Sequence, residues 1–399
     1  MKHLFGMMLA SAAMLGLTYT AATAADAVRI GVLTDLTGVF SGITGKGSVT
    51  AAQMAVEDFG KSTVLGKSIE IVQGDHQNKP DVGAAIARQW FEAEGVTAIA
   101  DIIGSAVGLA VQGVAKRDDK ILILSGSGAD DLLGEQCAPG GLVWSVNTWT
   151  QSKVVGAGLM RQGEKSWYLV SQDSAFGHSI ERNLGKFAEE ENAKIVGVAR
   201  FPITNQDFSS FLLNAQGSGA SVVALTGGDV ASFVKQANEF GIVQGGQKLA
   251  VMMSWIQWIH ALTPEKAQGL YLSSSFYWDL NDETRAWSKR FYERTGYMPS
   301  WTQAGTYSGV LHYLKAVEAA GTTDTGTVLA KMREMPINDA TAKGVLRKDG
   351  LLMRDFYVFN VKTPSESTGE WDLYKLAATI PAEDAAPPIS SACAYVANQ

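Results

Sequence analysis

Three segments of the chain combine small residues with hydroxyls in a pattern suited to holding an anion. They are Thr37-Gly38 with Thr44-Gly45, Gly104-Ser105, and Ser125-Gly126-Ser127-Gly128-Ala129. Each follows an extended-type run and precedes a new element. Glycine and serine let the backbone approach a guest closely. The hydroxyls and the free N–H groups of a helix start then coordinate negative charge without any formal positive charge. A carboxylate is the natural guest. Gly and Ser also favour caps and turns for local reasons, but three such loops at equivalent places favour binding.

A second set has a different character: Asp173-Ser174-Ala175-Phe176-Gly177, Gly227-Gly228-Asp229 and Ser254-Trp255-Ile256-Gln257-Trp258. Rings at Phe176 and Trp255 would cover an apolar or aromatic ligand body. Asp229 would either accept from an ammonium or hydroxyl, or cap the following helix. Core packing is the alternative for Trp255 and Trp258.

Catalytic signatures are missing. The five histidines stand at positions 3, 76, 178, 260 and 312, without metal-ligand spacing, so no metal and no cofactor is expected. Gly45-Lys46-Gly47-Ser48 resembles the end of a phosphate loop but has glycine after the lysine where a hydroxyl residue is required. The first strand is followed by Thr34-Asp35-Leu36-Thr37-Gly38, not by a dinucleotide-binding glycine pattern. No Gly-x-Ser-x-Gly elbow occurs. An enzyme is not expected. The 33 Lys and Arg against 40 Asp and Glu leave a formal charge of −7 with no basic stripe, which argues against a nucleic-acid partner.

The elements that must position these loops alternate along the chain. Ile30-Gly31-Val32-Leu33 opens the series. Runs at Ile69-Glu70-Ile71-Val72, Val96-Thr97-Ala98-Ile99 and Ile121-Leu122-Ile123-Leu124 are separated by helical periodicity over about 48–59, 82–94 and 105–117. A second series after Val143-Trp144-Ser145-Val146-Asn147 has strand-like runs at 167–170, 195–199, 222–225 and 249–253, with predicted helices near 152–162, 178–191, 208–215 and 230–240. Strands alternating with helices at this spacing predict parallel, doubly wound sheets. Two α/β domains are preferred over one sheet of ten or more strands. An extended run at Leu270–Tyr277, helices over about 284–295 and 303–320, and late extended runs at 356–361 and 373–376 complete the chain.

Residues 1–25 have a weakly basic start, an apolar stretch over 4–17 and the small-x-small pattern Ala22-Thr23-Ala24, which predicts a cleaved export signal. The apolar stretch is too short to span a bilayer. The only cysteines are Cys137 and Cys393. In an oxidising compartment one disulfide is the expectation, tying the tail to a loop after a strand, with two unpaired thiols as the alternative.

With these segments in view, the sequence resembles the leucine/isoleucine/valine-type periplasmic binding proteins that feed ATP-binding-cassette importers. The carrying stretches are Ile30–Gly38, Gly74-Asp75-His76-Gln77-Asn78-Lys79-Pro80, Ile121–Ser125, Phe176-Gly177, Asp207-Phe208-Ser209, Thr306-Tyr307 and Lys348-Asp349-Gly350. They run in order over nearly the whole chain after the signal. The resemblance implies the type I binding-protein fold: two doubly wound α/β lobes joined by three hinge crossings, with ligand held in the cleft by hinge closure. Residues 26–147 and 278–350 would form one lobe, 148–277 and 351–380 the other, and 381–399 a tail.

The resemblance also implies a monomer in the periplasm that hands a small carboxylate to a membrane permease. An amino-acid receptor proper is the alternative, and a ligand-sensing module a further one. The carboxylate-holding positions are Gly104, Ser105, Ser127, Gly128 and Ala129, with Thr44 beside them. Ala129 stands where the family has threonine, and Phe176 where it has a covering tyrosine. Tyr307 keeps the tyrosine of the late helix. Trp255 replaces the acidic residue that pairs with a ligand ammonium, and only Asp229 remains to take that role. A buried ammonium without a partner is strongly unfavourable. An aromatic or otherwise apolar acid is therefore the expected guest.

Overall fold

The computed structural model describes residues 27–397; the expected export signal lies outside them. The chain runs β1 (Ala27–Thr34), α1 (Gly45–Phe59), β2 (Thr63–Val64), β3 (Lys67–Asp75), α2 (Pro80–Glu92), β4 (Val96–Asp101), α3 (Ser105–Arg117), β5 (Ile121–Leu124) and β6 (Gly141–Val143). There follow α4 (Thr148–Gln151), a π turn over Ser152–Ala157, α5 (Gly158–Arg161), β7 (Ser166–Gln172), α6 (Ala175–Glu190), β8 (Lys194–Phe201), α7 (Ser209–Gly217) and β9 (Val222–Leu225). Next come α8 (Val230–Glu239), β10 (Lys248–Val251), α9 (Ile256–Leu262), α10 (Pro264–Ala267), β11 (Tyr271–Ser274), α11 (Asp282–Thr295), α12 (Trp301–Ala320) and α13 (Thr325–Glu334). The end comprises β12 (Ile337–Asn338), β13 (Lys343–Leu346), β14 (Leu352–Met353), β15 (Phe356–Val361), β16 (Tyr374–Ile380), α14 (Ala382–Ala385) and α15 (Ala394–Ala397).

These strands form two main sheets. The first has six strands in the order β2-β3-β1-β4-β5-β6, parallel except for the edge hairpin strand β2. The second has seven in the order β16-β15-β11-β10-β9-β7-β8, with β15 and β16 antiparallel at one edge. Strand order reverses between β1 and β4 in the first sheet and between β7 and β9 in the second. Those are the switch points at which open α/β sheets leave a crevice beyond the strand carboxyl ends.

Buried strands explain the sheets. Along β5, Ile121 and Ile123 pack on one face with α12, while Leu122 and Leu124 enter the opposite cluster with Val107 and Val111 of α3. Along β9, Val223 and Leu225 face one side and Val222 and Ala224 the other. A strand covered on both faces reads as an unbroken apolar run, which is why the sequence shows no alternation there. Caps set the helix starts. α12 begins at Trp301, two residues before its expected start, because Ser300 and Gln303 cap each other reciprocally. α4 begins at Thr148, earlier than the periodicity indicated, because the Asn147 side chain accepts from Thr150 N–H at 2.8 Å.

The chain passes between the sheets three times: after β6, after β11 and after β14. Arg354, buried at the third passage, donates to the carbonyls of Ser275 at 2.6 Å and Thr341 at 2.8 Å, stitching the second passage to the third. The tail adds a fourth link. It leaves β16, gives the Ala385 carbonyl to Thr150 Oγ1 at 2.8 Å and the Pro387 carbonyl to Arg347 at 2.7 Å, and ends in a disulfide from Cys393 to Cys137 in the loop before β6. The cross-link spans a sequence separation of 256. Closing so long a loop removes much freedom from the unfolded chain. Replacing both cysteines by serine is expected to lower stability by about 2–4 kcal/mol. Thermal unfolding measures it: the wild type in reductant should match the variant, and identical melting of the oxidised wild type and the variant would refute a stabilising cross-link.

Candidate functional site

The carboxyl ends of both sheets face each other. β4 ends in a strained turn: Asp101 and Ile102 both have left-handed backbone, with φ of 79° and 55°, and Gly104 follows at 86°. Left-handed backbone is uncommon for a β-branched residue such as Ile102 and persists where the surroundings over-determine it. Here the turn swings the start of α3 over the strand ends. No side chain caps that start, and its first turn holds no acidic residue, so its N–H groups face the crevice.

Ser105 is the centre of the arrangement. Its Oγ accepts from Gly128 N–H at 3.2 Å and Ala129 N–H at 3.1 Å. A hydroxyl has two acceptor sites and one proton. With both acceptor sites filled, the Ser105 proton is left to donate outward. Ser127 is used differently: its Oγ donates to the carbonyls of Ile102 at 2.7 Å and Gly104 at 3.1 Å, binding the two loops together. Thr44 is also turned inward, accepting from Thr34 Oγ1 at 3.1 Å and donating to Phe40 O at 3.3 Å. Gly104, Ser105, Ser127, Gly128 and Ala129 thus come together as one cradle in which Ser127 and Thr44 are braces.

From the other sheet, Phe176 lies buried in the first turn of α6, whose start is capped by Ser174 accepting from Gly177 N–H at 3.1 Å. Asp229 caps α8: its two oxygens accept from Ser232 N–H at 3.1 Å and Ser232 Oγ at 2.7 Å. Of the two roles open to it in the sequence, the cap is the one its geometry fills. Trp255 is only 1% exposed. Its ring stacks on Trp301 with centroids 5.0 Å apart and meets Trp258 edge-on at 4.6 Å. Its Nε1–H donates to Thr302 Oγ1, and Trp301 Nε1–H returns a bond to Ser254 O, both at 2.9 Å. The residue is a clasp between the two halves. Tyr307 departs from expectation. It faces the α1–α12 layer, donating to Asp58 Oδ2 at 2.7 Å and packing on Trp287, because helical rotation points it away from the strand ends.

The two halves touch at a second seam. A single 3₁₀ turn, Asp130–Leu132, follows the cradle. Asp130 N–H donates to Ser179 Oγ at 3.1 Å, and the Asp130 carboxylate accepts from Asn183 Nδ2 at 2.8 Å and Thr148 Oγ1 at 2.6 Å. Burial raises its pKa, opposed by those two donors. With the Trp255–Trp301 pair, these contacts join the two halves.

Two other titratable groups sit beneath the cradle. Burial lifts Asp101 to about 6, against the hydroxyls of Thr34, Ser48, Ser125 and Thr306 that surround it. Burial depresses His76 to about 4, against the attraction of Asp35 and Asp75. No motif marks Asp101, or Gln172 at the end of β7, which is 5% exposed and whose Nε2 has no hydrogen-bond partner among the described residues. A separate concavity of about 610 Å³ is lined by Leu159, Gln162, Lys248, Gln268 and Tyr271, at the opposite, amino end of the second sheet. It lies away from these donors. Among the described residues, no cluster of His, Cys, Asp and Glu could hold a metal ion, and no helix is long and apolar enough to cross a membrane.

Two α/β halves whose strand ends meet around an uncapped helix start fit a receptor for a small ligand. The model of the family described as periplasmic binding protein matches residues 27–369, and the chain belongs to that family, whose members serve transporters as substrate-binding proteins and are not enzymes. A search of curated sequences finds no match. Among solved structures, a periplasmic binding protein from Burkholderia mallei is 42% identical, with a TM-score of 0.89 over 91% of this chain and 97% of that one. A branched chain amino acid ABC transporter periplasmic ligand-binding protein from Burkholderia xenovorans is 39% identical, with a TM-score of 0.81 over 90% and 97%. A solute binding protein of an ABC transporter from R. palustris, in complex with benzoate, shares the fold at 18% identity and a TM-score of 0.79 over 92% and 99%.

Proposed function

We propose that the chain is a periplasmic receptor that closes on a small carboxylate with an apolar or aromatic body and delivers it to the permease of an ATP-binding-cassette importer. The observation that carries this reading is the Ser105 hydroxyl, whose acceptor sites are filled by Gly128 N–H and Ala129 N–H at the uncapped start of α3. That constellation presents donors only, and donors suit an anion.

The carboxylates near the cradle are already engaged by the protein. Asp229 is occupied by Ser232, Asp130 by Thr148 and Asn183, and Asp101 lies beneath the cradle among hydroxyls. Phe176 supplies an aromatic face for the ligand body. The relative from B. xenovorans is named for branched-chain amino acids, so an amino acid is the competing guest.

Calorimetry against a panel of aromatic acids, aliphatic acids and branched-chain amino acids decides between them. The reading expects an acid lacking an α-ammonium to bind tightest. Ser105→Ala should weaken that acid by roughly tenfold to a hundredfold, the value of a hydrogen bond to a charged group. Tight leucine binding with no response to aromatic acids would overturn the ligand class.

A further inference from the structure

The strand end of β7 carries a donor that nothing among the described residues satisfies. Gln172 is 5% exposed and its Nε2 has no partner. The orientation of the amide follows from its neighbours. Gly177 N–H donates to Ser174 Oγ at 3.1 Å, so the hydroxyl proton is free to donate to Gln172 Oε1 at 2.9 Å. The oxygen is therefore taken, and the NH2 group must look elsewhere.

The side chain lies against the loop after β9, where Gly228 holds a φ of 91°. A Cβ on Gly228 would lie 2.8 Å from the Phe201 ring and 3.9 Å from Gln172 Nε2. A side chain at Gly228 would therefore displace the Phe201 ring. β7 and β9 also flank the switch point of the second sheet, so the amide stands at the crevice where a ligand of an open α/β sheet is met.

We infer that Gln172 is a specificity residue: its Nε2–H donates to a second oxygen on the ligand, remote from the carboxylate held at Ser105. This rests on the carboxylate reading above and narrows it. The guest carries an acceptor at each end, as a ring-hydroxylated or otherwise oxygenated aromatic acid does. A buried donor left without an acceptor retains its desolvation penalty, so an acid lacking that oxygen binds less tightly. The neutral amide of Gln172 offers an acceptor oxygen no charge-based advantage, so the preference concerns hydrogen bonding and not charge.

The test compares 4-hydroxybenzoate with 4-methylbenzoate, which has similar size and no second polar oxygen, by calorimetry on the wild type and on Gln172→Met. The wild type should prefer the hydroxylated acid by roughly tenfold, equivalent to about 1.4 kcal/mol. Gln172→Met should lose that preference by weakening the hydroxylated acid while leaving the methyl acid within about twofold. An unchanged preference in the variant overturns the inference, as does a liganded crystal structure in which Nε2 meets only water. Leucine serves as a separate arm. If leucine binds and neither benzoate does, the aromatic reading and the Gln172 inference both fail, because leucine has no oxygen beyond its carboxylate; if both benzoates bind equally, the aromatic reading stands and the Gln172 inference alone fails. Retained melting temperature in Gln172→Met excludes misfolding as the cause of any loss.

Discussion

Trp255→Ala weakens ligand binding by roughly 30-fold or more. Truncating a fully buried tryptophan removes about 3–5 kcal/mol of packing. Here the contacts lie across the seam: the stack on Trp301, the approach to Phe40 at a centroid distance of 6.3 Å and the bond to Thr302 all join lobe to lobe. Contacts that exist only when the lobes meet stabilise the closed state selectively. A ligand trapped by closure loses affinity in proportion to the closed population. If about 2 kcal/mol of the loss falls on closure, the apparent Kd rises roughly 30-fold.

Trp255→Phe keeps most of the stack but loses the indole N–H, so a smaller change is expected, about fivefold from a loss near 1 kcal/mol. Calorimetry with the best acid of the panel gives the affinity, and small-angle scattering with ligand gives the degree of closure. Wild-type affinity accompanied by a lower melting temperature would show that Trp255 is a static core residue of one lobe.

Asp101→Asn should raise stability at pH 7.5 by roughly 3 kcal/mol. The folded chain holds the Asp101 proton up to about 6, against an ordinary value of 3.8, because the carboxyl is buried. At 1.36 kcal/mol for each unit, ionising it in the folded state costs on the order of 3 kcal/mol. The contribution of a raised carboxyl is fully present below the unfolded value and is lost as pH rises through about 6. Asparagine remains neutral throughout, tolerates left-handed backbone at this position and can bond the same hydroxyls.

His76 acts in the opposite direction. Its folded value near 4 lies below the ordinary 6.5, so its contribution is present above about 6.5 and is lost as pH falls through about 4. The two slopes oppose each other between about 4 and 6.5 and leave the wild type with little dependence on pH from this pair. Removing Asp101 exposes the histidine slope. The variant's stability should climb by roughly 3 kcal/mol from pH 4 to pH 6.5, measured by denaturant unfolding at each pH. A variant whose curve parallels the wild type across that range would show that Asp101 does not titrate there.

The two lobes could be read from local sequence because their cause is local. The unbroken apolar run Ile121-Leu122-Ile123-Leu124 packs on both faces as its pattern demands. The Gly-Ser segments stand at strand ends because strand and helix periodicities meet there. The pairing of Cys137 with Cys393 is expected from the export context and not from any local pattern, and the path of the tail brings the two together.

What each side chain does with its polar atoms was settled only by tertiary packing. Ser105 and Ser127 read alike in the sequence, yet one keeps a proton for the crevice and the other gives its proton to Ile102 and Gly104. Tyr307 matched a family position, but the rotation of α12 directs its hydroxyl to Asp58. Trp255 finds its partners, Trp301 and Thr302, on a helix of the other lobe. Gln172 and Asp101 carry no motif at all. Sequence periodicity specifies which face of an element is apolar, because that depends on neighbours along one strand or helix. Whether a buried polar atom is satisfied depends on groups distant in the chain, and only the folded arrangement brings those together.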